Sequence, residues 1–303
     1  MRAVFLGTPS AAIPSLAALA EVADVVAVIT RPDRPKGRHG TPTPPPVKTA
    51  ATEWGIPVEQ PESRDRLVAA LADAGADIGV VVAYGRLLDV TALASTRVGF
   101  VNVHFSLLPR WRGAAPVERS IIAGDTNTGV SLMSIDQGLD TGPIIAVAET
   151  DVAEDDTGGI LTARLSVLGA QLLATALPSY VGGALHPADQ IDTAATYAAR
   201  LTTEEARLDP SLPAPFLARV VRGLHPRPGA WVTVEDTRLG VLRAAVVPTG
   251  PVEGIIELLD GIPVMGTSEG GLALLEVVAE GRRPQSGAAW MNGRRGQPAR
   301  TGP

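Results

Sequence analysis

Short β-branched hydrophobic runs and longer Ala/Leu-rich stretches with helical spacing alternate along the first 150 residues. Arg2–Leu6, Asp24–Thr30, Pro57–Gln60, Asp77–Tyr84, Val101–Phe105, Val130–Ile135 and Ile144–Val152 read as strands, since each is a brief apolar run bounded by turn formers. Val80-Val81-Val82 lacks polar alternation and predicts a strand buried on both faces. Ala11–Val22, Thr49–Trp54, Arg64–Ala74 and Pro116–Ala123 read as helices. Pro14 falls in the first turn of its helix, where a missing N–H is tolerated. This alternation predicts an α/β fold, a doubly wound, mostly parallel sheet. Ligands of such sheets bind beyond the carboxyl ends of strands, near the point where strand order reverses.

The pattern changes in the second half. Ile160–Leu177 is a long Ala/Leu-rich helix, and 181–205 carries Pro, Gly and acidic residues as a linker would. Beyond 206, a helix at Leu217–Gly223 precedes short strands at Ala230–Val234, Arg238–Val247, Gly254–Leu259, Ile262–Gly266 and Leu272–Val278. Short strands at turn spacing predict a small β-barrel or sandwich. The Arg-, Gly- and Pro-rich tail from Gly281 predicts a partly mobile terminus. The expected organisation is therefore a catalytic domain over 1–180, a linker over 181–205 and a C-terminal domain over 206–303.

Composition narrows the classes. The chain is 45% hydrophobic and 19% charged, an ordinary globular balance. It has no cysteine, which excludes disulfides, thiol nucleophiles and Cys-ligated zinc. No unbroken apolar run reaches the ~18 residues of a membrane span, and Met1–Thr8 reads as a strand and turn rather than a leader. A cytoplasmic protein away from membranes is expected. The net charge of −6 argues against bulk attraction of nucleic acid. Its distribution is uneven: 206–303 holds 11 basic against 9 acidic residues, and 31–48 holds five against one. The latter includes both lysines of the chain, Lys36 and Lys48. It is too rich in Pro and Gly for a helix or central strand. A loop this long is usually functional or disordered, so it is either a basic arm that reaches phosphates or a mobile surface loop.

Candidate chemistry centres on 102–113. Asn102 and His104 are two residues apart on an apolar strand, so their side chains share a face roughly 6.5–7 Å apart. Buried polar groups are costly unless paired, so the pair needs an explanation. A carboxylate follows in Leu139-Asp140-Thr141-Gly142-Pro143; Asp136 competes with Asp140 for the role but could instead close an Asx-turn. An amide, an imidazole and a carboxylate suit acyl-type transfer to an amine. Ser106-Leu107-Leu108-Pro109 leaves the strand as a cap on the core or as the wall of a pocket for a planar heterocycle. Arg110 and Arg112 follow, to bind an anion or sit in solvent. The first βα turn, Gly7-Thr8-Pro9-Ser10, lacks the glycine fingerprint of a dinucleotide site, and no P-loop is present. The four histidines have no zinc-ligand spacing, so no metal is expected.

Phe5-Leu6-Gly7-Thr8-Pro9, Arg31-Pro32-Asp33-Arg34-Pro35, Val81-Val82-Ala83-Tyr84-Gly85, Asn102 through Pro116, Gly138-Leu139-Asp140-Thr141-Gly142 and His225 through Trp231 together resemble the methionyl-tRNA formyltransferase family over nearly the whole chain. The Asn-x-His-x-Ser-Leu-Leu-Pro and Leu-Asp-Thr-Gly pair marks folate-dependent formyltransferases. The 31–48 loop and the His225–Trp231 stretch point to the tRNA-directed members. The resemblance implies a formyltransferase-type Rossmann variant followed by an OB-like barrel. It implies N10-formyltetrahydrofolate as formyl donor in one-carbon transfer, and the α-amine of initiator methionyl-tRNA as acceptor, in translation initiation. Tetrahydrofolate and the initiator tRNA would be the partners of a monomeric enzyme that needs no metal. It implies Asn102, His104 and Asp140 as catalytic residues, and Ser106, Leu107, Leu108 and Pro109 as the folate-contacting loop. Residues 34–43, with Arg34, Lys36 and Arg38, would enter the acceptor arm. Asn102 and a protonated His104 would then donate to the oxyanion while Asp140 orients His104 and accepts the amine proton. The chain departs from the family pattern at Glu118, where Gln is common. The alternative is a folate-dependent formyltransferase acting on a sugar-nucleotide or other small amine.

Overall fold

In the computed structural model, which describes residues 1–35 and 40–302, the chain forms two compact units. The first comprises Met1–Gly113, Asn127–Asp151 and Thr162–Ala198; the second comprises Ala114–Thr126, Val152–Leu161 and Ala199–Pro303.

The first unit is built on a seven-stranded sheet, in the order Ile144–Asp151, Asn127–Ser134, Gly99–His104, Ile78–Val82, Arg2–Gly7, Asp24–Ile29, Val58–Glu59. The five strands from Gly99–His104 to Val58–Glu59 pair in parallel. Asn127–Ser134 and Ile144–Asp151 run antiparallel to their neighbours, so the sheet is mixed at one edge. Ile78–Val82 is buried along its whole length, as an uninterrupted run of apolar residues requires. Helices cover both faces. Leu67 and Leu71 of Arg64–Ala74 pack with Val4, Leu6, Ile29, Val81 and Phe100 on one. On the other, Gly169 of helix Gly158–Val181 lies against Val103 and Val130, too close to accept a Cβ without displacement.

Helix Gly158–Val181 differs from the expectation that no segment could span a membrane: by length and mean hydropathy it could. Arg164, Ser166 and Gln171 interrupt every unbroken run, but the average stays apolar. Leu165, Leu173 and Leu177 are fully buried, as on the core-facing side of a helix, while Ile160 and Val167 are exposed. The helix also extends past Pro178, which costs only one backbone hydrogen bond near a helix end; Tyr180, beyond it, lies 3.3 Å from Ser134 through their hydroxyls.

The second unit is a curled antiparallel sheet in the order Ala230–Val234, Thr237–Val247, Gly271–Ala279, Ile262–Gly266, Ile255–Leu259, Ala299–Arg300. It closes on itself: Thr301 bridges Val234, and the Gly302 N–H donates to the Thr233 carbonyl at 3.0 Å. Closure removes the exposed edges an open sheet would present. Ala230, Val232 and Val234 alternate inward onto Leu217, Val220 and Val221 of helix Ala214–Gly223. Each of the valines and Leu217 contributes about 1.5–3 kcal/mol by burial. The tail from Gly281 departs from the mobile terminus expected of it. Ser286 caps helix Gly287–Gly293 by accepting from the Ala289 N–H, Met291 is fully buried, and Ala299–Arg300 completes the barrel.

Candidate active site

The sheet's strand order reverses between Arg2–Gly7 and Ile78–Val82. There, the Thr8 hydroxyl donates to the Tyr84 carbonyl at 3.2 Å, and Arg31 donates to the Gly85 carbonyl at 2.9 Å. Gly7 faces Phe5, Ala12 and the Val82 carbonyl, so its small size serves packing. Burial pushes the Tyr84 hydroxyl up from its ordinary pKa.

One strand over, Gly99–His104 presents Asn102 and His104 on the same face near its carboxyl end, with Val101 and Val103 buried on the other. His104 is itself buried. Its Nε2 lies 2.9 Å from the Trp111 carbonyl. A carbonyl can only accept, so Nε2 carries the hydrogen and Nδ1 is left to face the reactants. Nδ1 lies 3.6 Å from Oδ2 of Asp140, within ion-pair range when the ring is protonated but beyond a direct hydrogen bond. Asn102 donates to Oδ1 of Asp140 at 3.2 Å, and the Gly113 N–H donates to Oδ2 at 2.9 Å. The structure therefore brings Asn102, His104 and Asp140 together, and it separates the two competing carboxylates. Asp136 accepts from the Gly138 N–H at 3.0 Å and the Thr141 hydroxyl at 2.7 Å, closing the turn that carries Asp140.

The 106–109 segment is turned largely inward. Ser106 is buried and its hydroxyl donates to the Arg110 carbonyl at 2.6 Å. Ser131, also buried, donates to the Ser106 carbonyl and accepts from the Leu108 N–H. Leu108 is buried, and Leu107 lies against Gly129. Arg112 is charged and only 2% exposed, paired with Asp192 at 2.8 Å. Expected either to bind an anion or to sit in solvent, Arg112 is instead a buried structural ion.

In the basic segment, Arg34 is exposed and Arg34–Pro35 pairs with Pro42–Thr43. Lys36 and Arg38 lie outside the described residues. Lys48 is not available to reach outward: its ammonium donates to Asp33 at 2.9 Å and to Gln60 at 2.7 Å. These donors hold the Asp33 carboxyl below the ordinary carboxylate range. Gln60 also donates to the Arg31 carbonyl at 2.7 Å, so the loop's base is tied down. Among the described residues no three His, Cys, Asp or Glu side chains gather as a metal site.

Gly113 and the Trp111 carbonyl belong to the site without having been expected there. Both act through backbone atoms. The one trace of Gly113 in the sequence is its identity: the φ of +124° is open only to glycine, and a Cβ there would sit 2.7 Å from the Ala198 carbonyl.

The family described as formyl transferase matches residues 1–177, and the formyl transferase C-terminal domain matches 200–295. A methionyl-tRNA formyltransferase of Halorhodospira halophila is 46% identical, over 97% of this chain and 96% of its own. One from Frankia casuarinae is 45% identical, over 97% and 94%. Among solved structures, an N-formyltransferase of Helicobacter canadensis in complex with folinic acid and dTDP-3-aminofucose superposes with a TM-score of 0.69 at 16% identity, covering 90% of this chain and 98% of that one.

Proposed function

The chain belongs to the methionyl-tRNA formyltransferase family, and on that premise we propose that Asn102, His104 and Asp140 carry its chemistry. The reaction moves a formyl group from N10-formyltetrahydrofolate to the α-amine of methionyl-initiator-tRNA. The folate supplies the formyl carbonyl; every other task falls to the protein. Asn102 gives one amide hydrogen to Asp140 and can give its second to the oxygen that becomes negative as the amine attacks. One such donor is typically worth ~10²–10³-fold in rate. The amine, with a reference pKa of about 7.7–8.0, must shed a proton as the new bond forms. Asp140 is the nearest acceptor in this reading. Asp140 passes that proton to Nδ1 of His104, 3.6 Å away, and Nδ1 gives it to N10 as the bond from the formyl carbon to N10 breaks, since Nε2 is committed to Trp111.

The observation that carries the assignment is the single Asp140 carboxylate accepting from Asn102 while facing Nδ1 of His104. Two of the four residues 106–109 are buried, so we assign this loop to folate binding through its backbone and the shape it gives the pocket wall. Arg34, with Lys36 and Arg38, is assigned to phosphates of the acceptor arm. We assign residues 1–180 to catalysis and 206–303 to tRNA binding, with the expected linker 181–205 belonging as far as Ala198 to the catalytic unit, in a monomeric cytoplasmic enzyme. A sugar-nucleotide acceptor has only the likeness of fold behind it, at 16% identity.

The test is formyl transfer to purified initiator methionyl-tRNA beside free methionine and an elongator methionyl-tRNA, with wild type and Asn102→Ala. The expected result is rapid formylation of the initiator alone by wild type, with turnover down ~10²–10³-fold in Asn102→Ala. Near-wild-type turnover in the variant would sink the site assignment.

A further inference from the structure

Two residues that hold the catalytic group are in strained backbone conformations. Asp140 has φ +53° and Trp111 has φ +64°, both in the left-handed region. For a bulky residue such as Trp this conformation costs roughly 1–2 kcal/mol and persists only where the surroundings over-determine it. Beyond the turn's own bonds to Asp136, the support comes from one segment, 188–198, within the stretch that composition assigns to a linker.

This segment is pinned at both ends. Ala188 and Ile144 exchange backbone hydrogen bonds of 2.8 Å, and Tyr197–Ala198 pairs in parallel with Arg112–Gly113. Between the pins, Gln190 commits all its hydrogen-bonding groups near the site. Its Nε2 donates to the Asp140 carbonyl at 2.9 Å and the Gly142 carbonyl at 2.7 Å, and its Oε1 accepts from Nε of Arg112 at 3.0 Å. The reversed amide would set an oxygen against two carbonyls, so the orientation is fixed by its partners. Thr196 acts on the other half. Its hydroxyl accepts from the Trp111 N–H at 2.9 Å, its carbonyl accepts from the Arg112 N–H at 2.8 Å, and its own N–H donates to the Pro109 carbonyl at 3.2 Å. Trp111 in turn holds Nε2 of His104. One path of hydrogen bonds thus runs Thr196–Trp111–His104 and another Gln190–Asp140, with buried Arg112 joining them.

We propose that Gln190 and Thr196 are positioning residues for formyl transfer, setting the His104–Asp140 separation from outside the reacting atoms. The inference rests on Asn102, His104 and Asp140 being the catalytic group. A displacement of about 1 Å at such a pair can cost ~10²-fold in rate. The test compares Gln190→Met, which keeps length and removes every polar atom, with Thr196→Val, which keeps shape and removes one acceptor. Asp140→Asn is the control, and thermal unfolding is measured on each. Gln190→Met should fold and lose about 10–100-fold in kcat, with the KM values for the folate and the tRNA within about twofold of wild type. Thr196→Val should show a smaller loss of the same kind. Gln190→Glu still accepts from Arg112 but cannot donate to the two carbonyls, so it should be as slow as Gln190→Met. A role confined to holding the fold would instead lower the unfolding midpoint and leave kcat per folded molecule unchanged. That result, or a change in KM alone, overturns the proposal while Asp140→Asn remains inactive. Should Gln190→Met not fold, Thr196→Val decides by the same criterion. An active Asp140→Asn overturns the site assignment itself, and the positioning role with it.

Discussion

Asp140→Asn is the perturbation that most directly probes the site, because it changes charge and hydrogen bonding while leaving shape alone. Asn tolerates positive φ as well as Asp does, so the φ of +53° adds no new strain. The native carboxylate accepts from two donors, Asn102 at 3.2 Å and the Gly113 N–H at 2.9 Å. The substituted amide has a single accepting oxygen, so its NH2 must face one of them. Gly113 donates through a backbone N–H that cannot turn, so the new side chain turns its oxygen to Gly113 and its NH2 to Asn102. The Asn102 amide then flips to accept, and its donor no longer faces the formyl oxygen. Replacing two charge-assisted bonds with neutral ones costs roughly 1–3 kcal/mol of stability. The loss in rate is larger. A missing oxyanion donor is worth ~10²–10³-fold and a missing proton acceptor ~10²–10⁴-fold, and groups acting as a unit do not add. A fall in kcat of about 10³-fold or more is expected, measured by single-turnover formylation of initiator methionyl-tRNA at saturating folate. Turnover within about threefold of wild type, in a protein that unfolds normally, would refute the reasoning.

Three further substitutions test separate parts of the argument. Gly113→Ala forces a side chain into φ +124° and against the Ala198 carbonyl. It should lower unfolding free energy by about 1–3 kcal/mol in a denaturant titration, and turnover with it. Burial pushes the Glu118 carboxyl above its ordinary value. The folded state therefore binds that proton more tightly than the unfolded chain does. Its contribution is most favourable below the ordinary carboxylate pKa and is lost as pH rises through the raised one. Glu118→Gln should raise the unfolding midpoint near neutral pH, with the gain vanishing below the ordinary carboxylate pKa; a gain independent of pH contradicts this. Arg34→Ala should raise KM for the tRNA with kcat unchanged and reduce the log–log salt slope by about 1; an unaltered slope removes Arg34 from the phosphate contacts.

What could be read from the sequence, and what could not, follows from the range of the interactions. Asn102 and His104 stood out because a polar pair on an apolar strand is a local anomaly. The helix at Arg64–Ala74 has its N-cap, Ser63, and its left-handed Gly75 beside it, so its bounds were legible to the residue. Helix Gly287–Gly293 was hidden by the Arg/Gly/Pro average of its surroundings, although Ser286 and the apolar Trp290-Met291 pair were there to be read. Gln190 and Thr196 were not legible at all. They bond to groups 48 to 85 residues away, mostly to backbone atoms, which impose no residue type on the partner. The role of Lys48 was equally out of reach, since its place in a basic stretch says nothing of an internal partner. Its two partners, Asp33 and Gln60, are 15 and 12 residues away and become neighbours only in the folded chain.

The register of the sheet explains why the site needs a strained turn. Strand Asn127–Ser134 runs antiparallel to Gly99–His104, with Ser134 opposite Val101 and Ser131 opposite His104. The loop carrying Asp140 therefore leaves the sheet three residues short of His104, about 10 Å along the strand. To meet His104 it must double back over the Asn102 face within a few residues. Asp136 closes the turn, and Gly142 returns so near Ser134 that a Cβ would strike the Ser134 carbonyl. The left-handed φ at Asp140 completes the reversal and aims the carboxylate at Asn102 and Gly113. A parallel neighbour would have delivered a loop at the carboxyl end without reversal. The antiparallel edge instead yields a carboxylate held on a short, tense turn, and such a turn needs an outside support to keep its aim. The two carbonyls that Gln190 grips, those of Asp140 and Gly142, lie on this reversal, outside the strand pairing that resumes at Ile144.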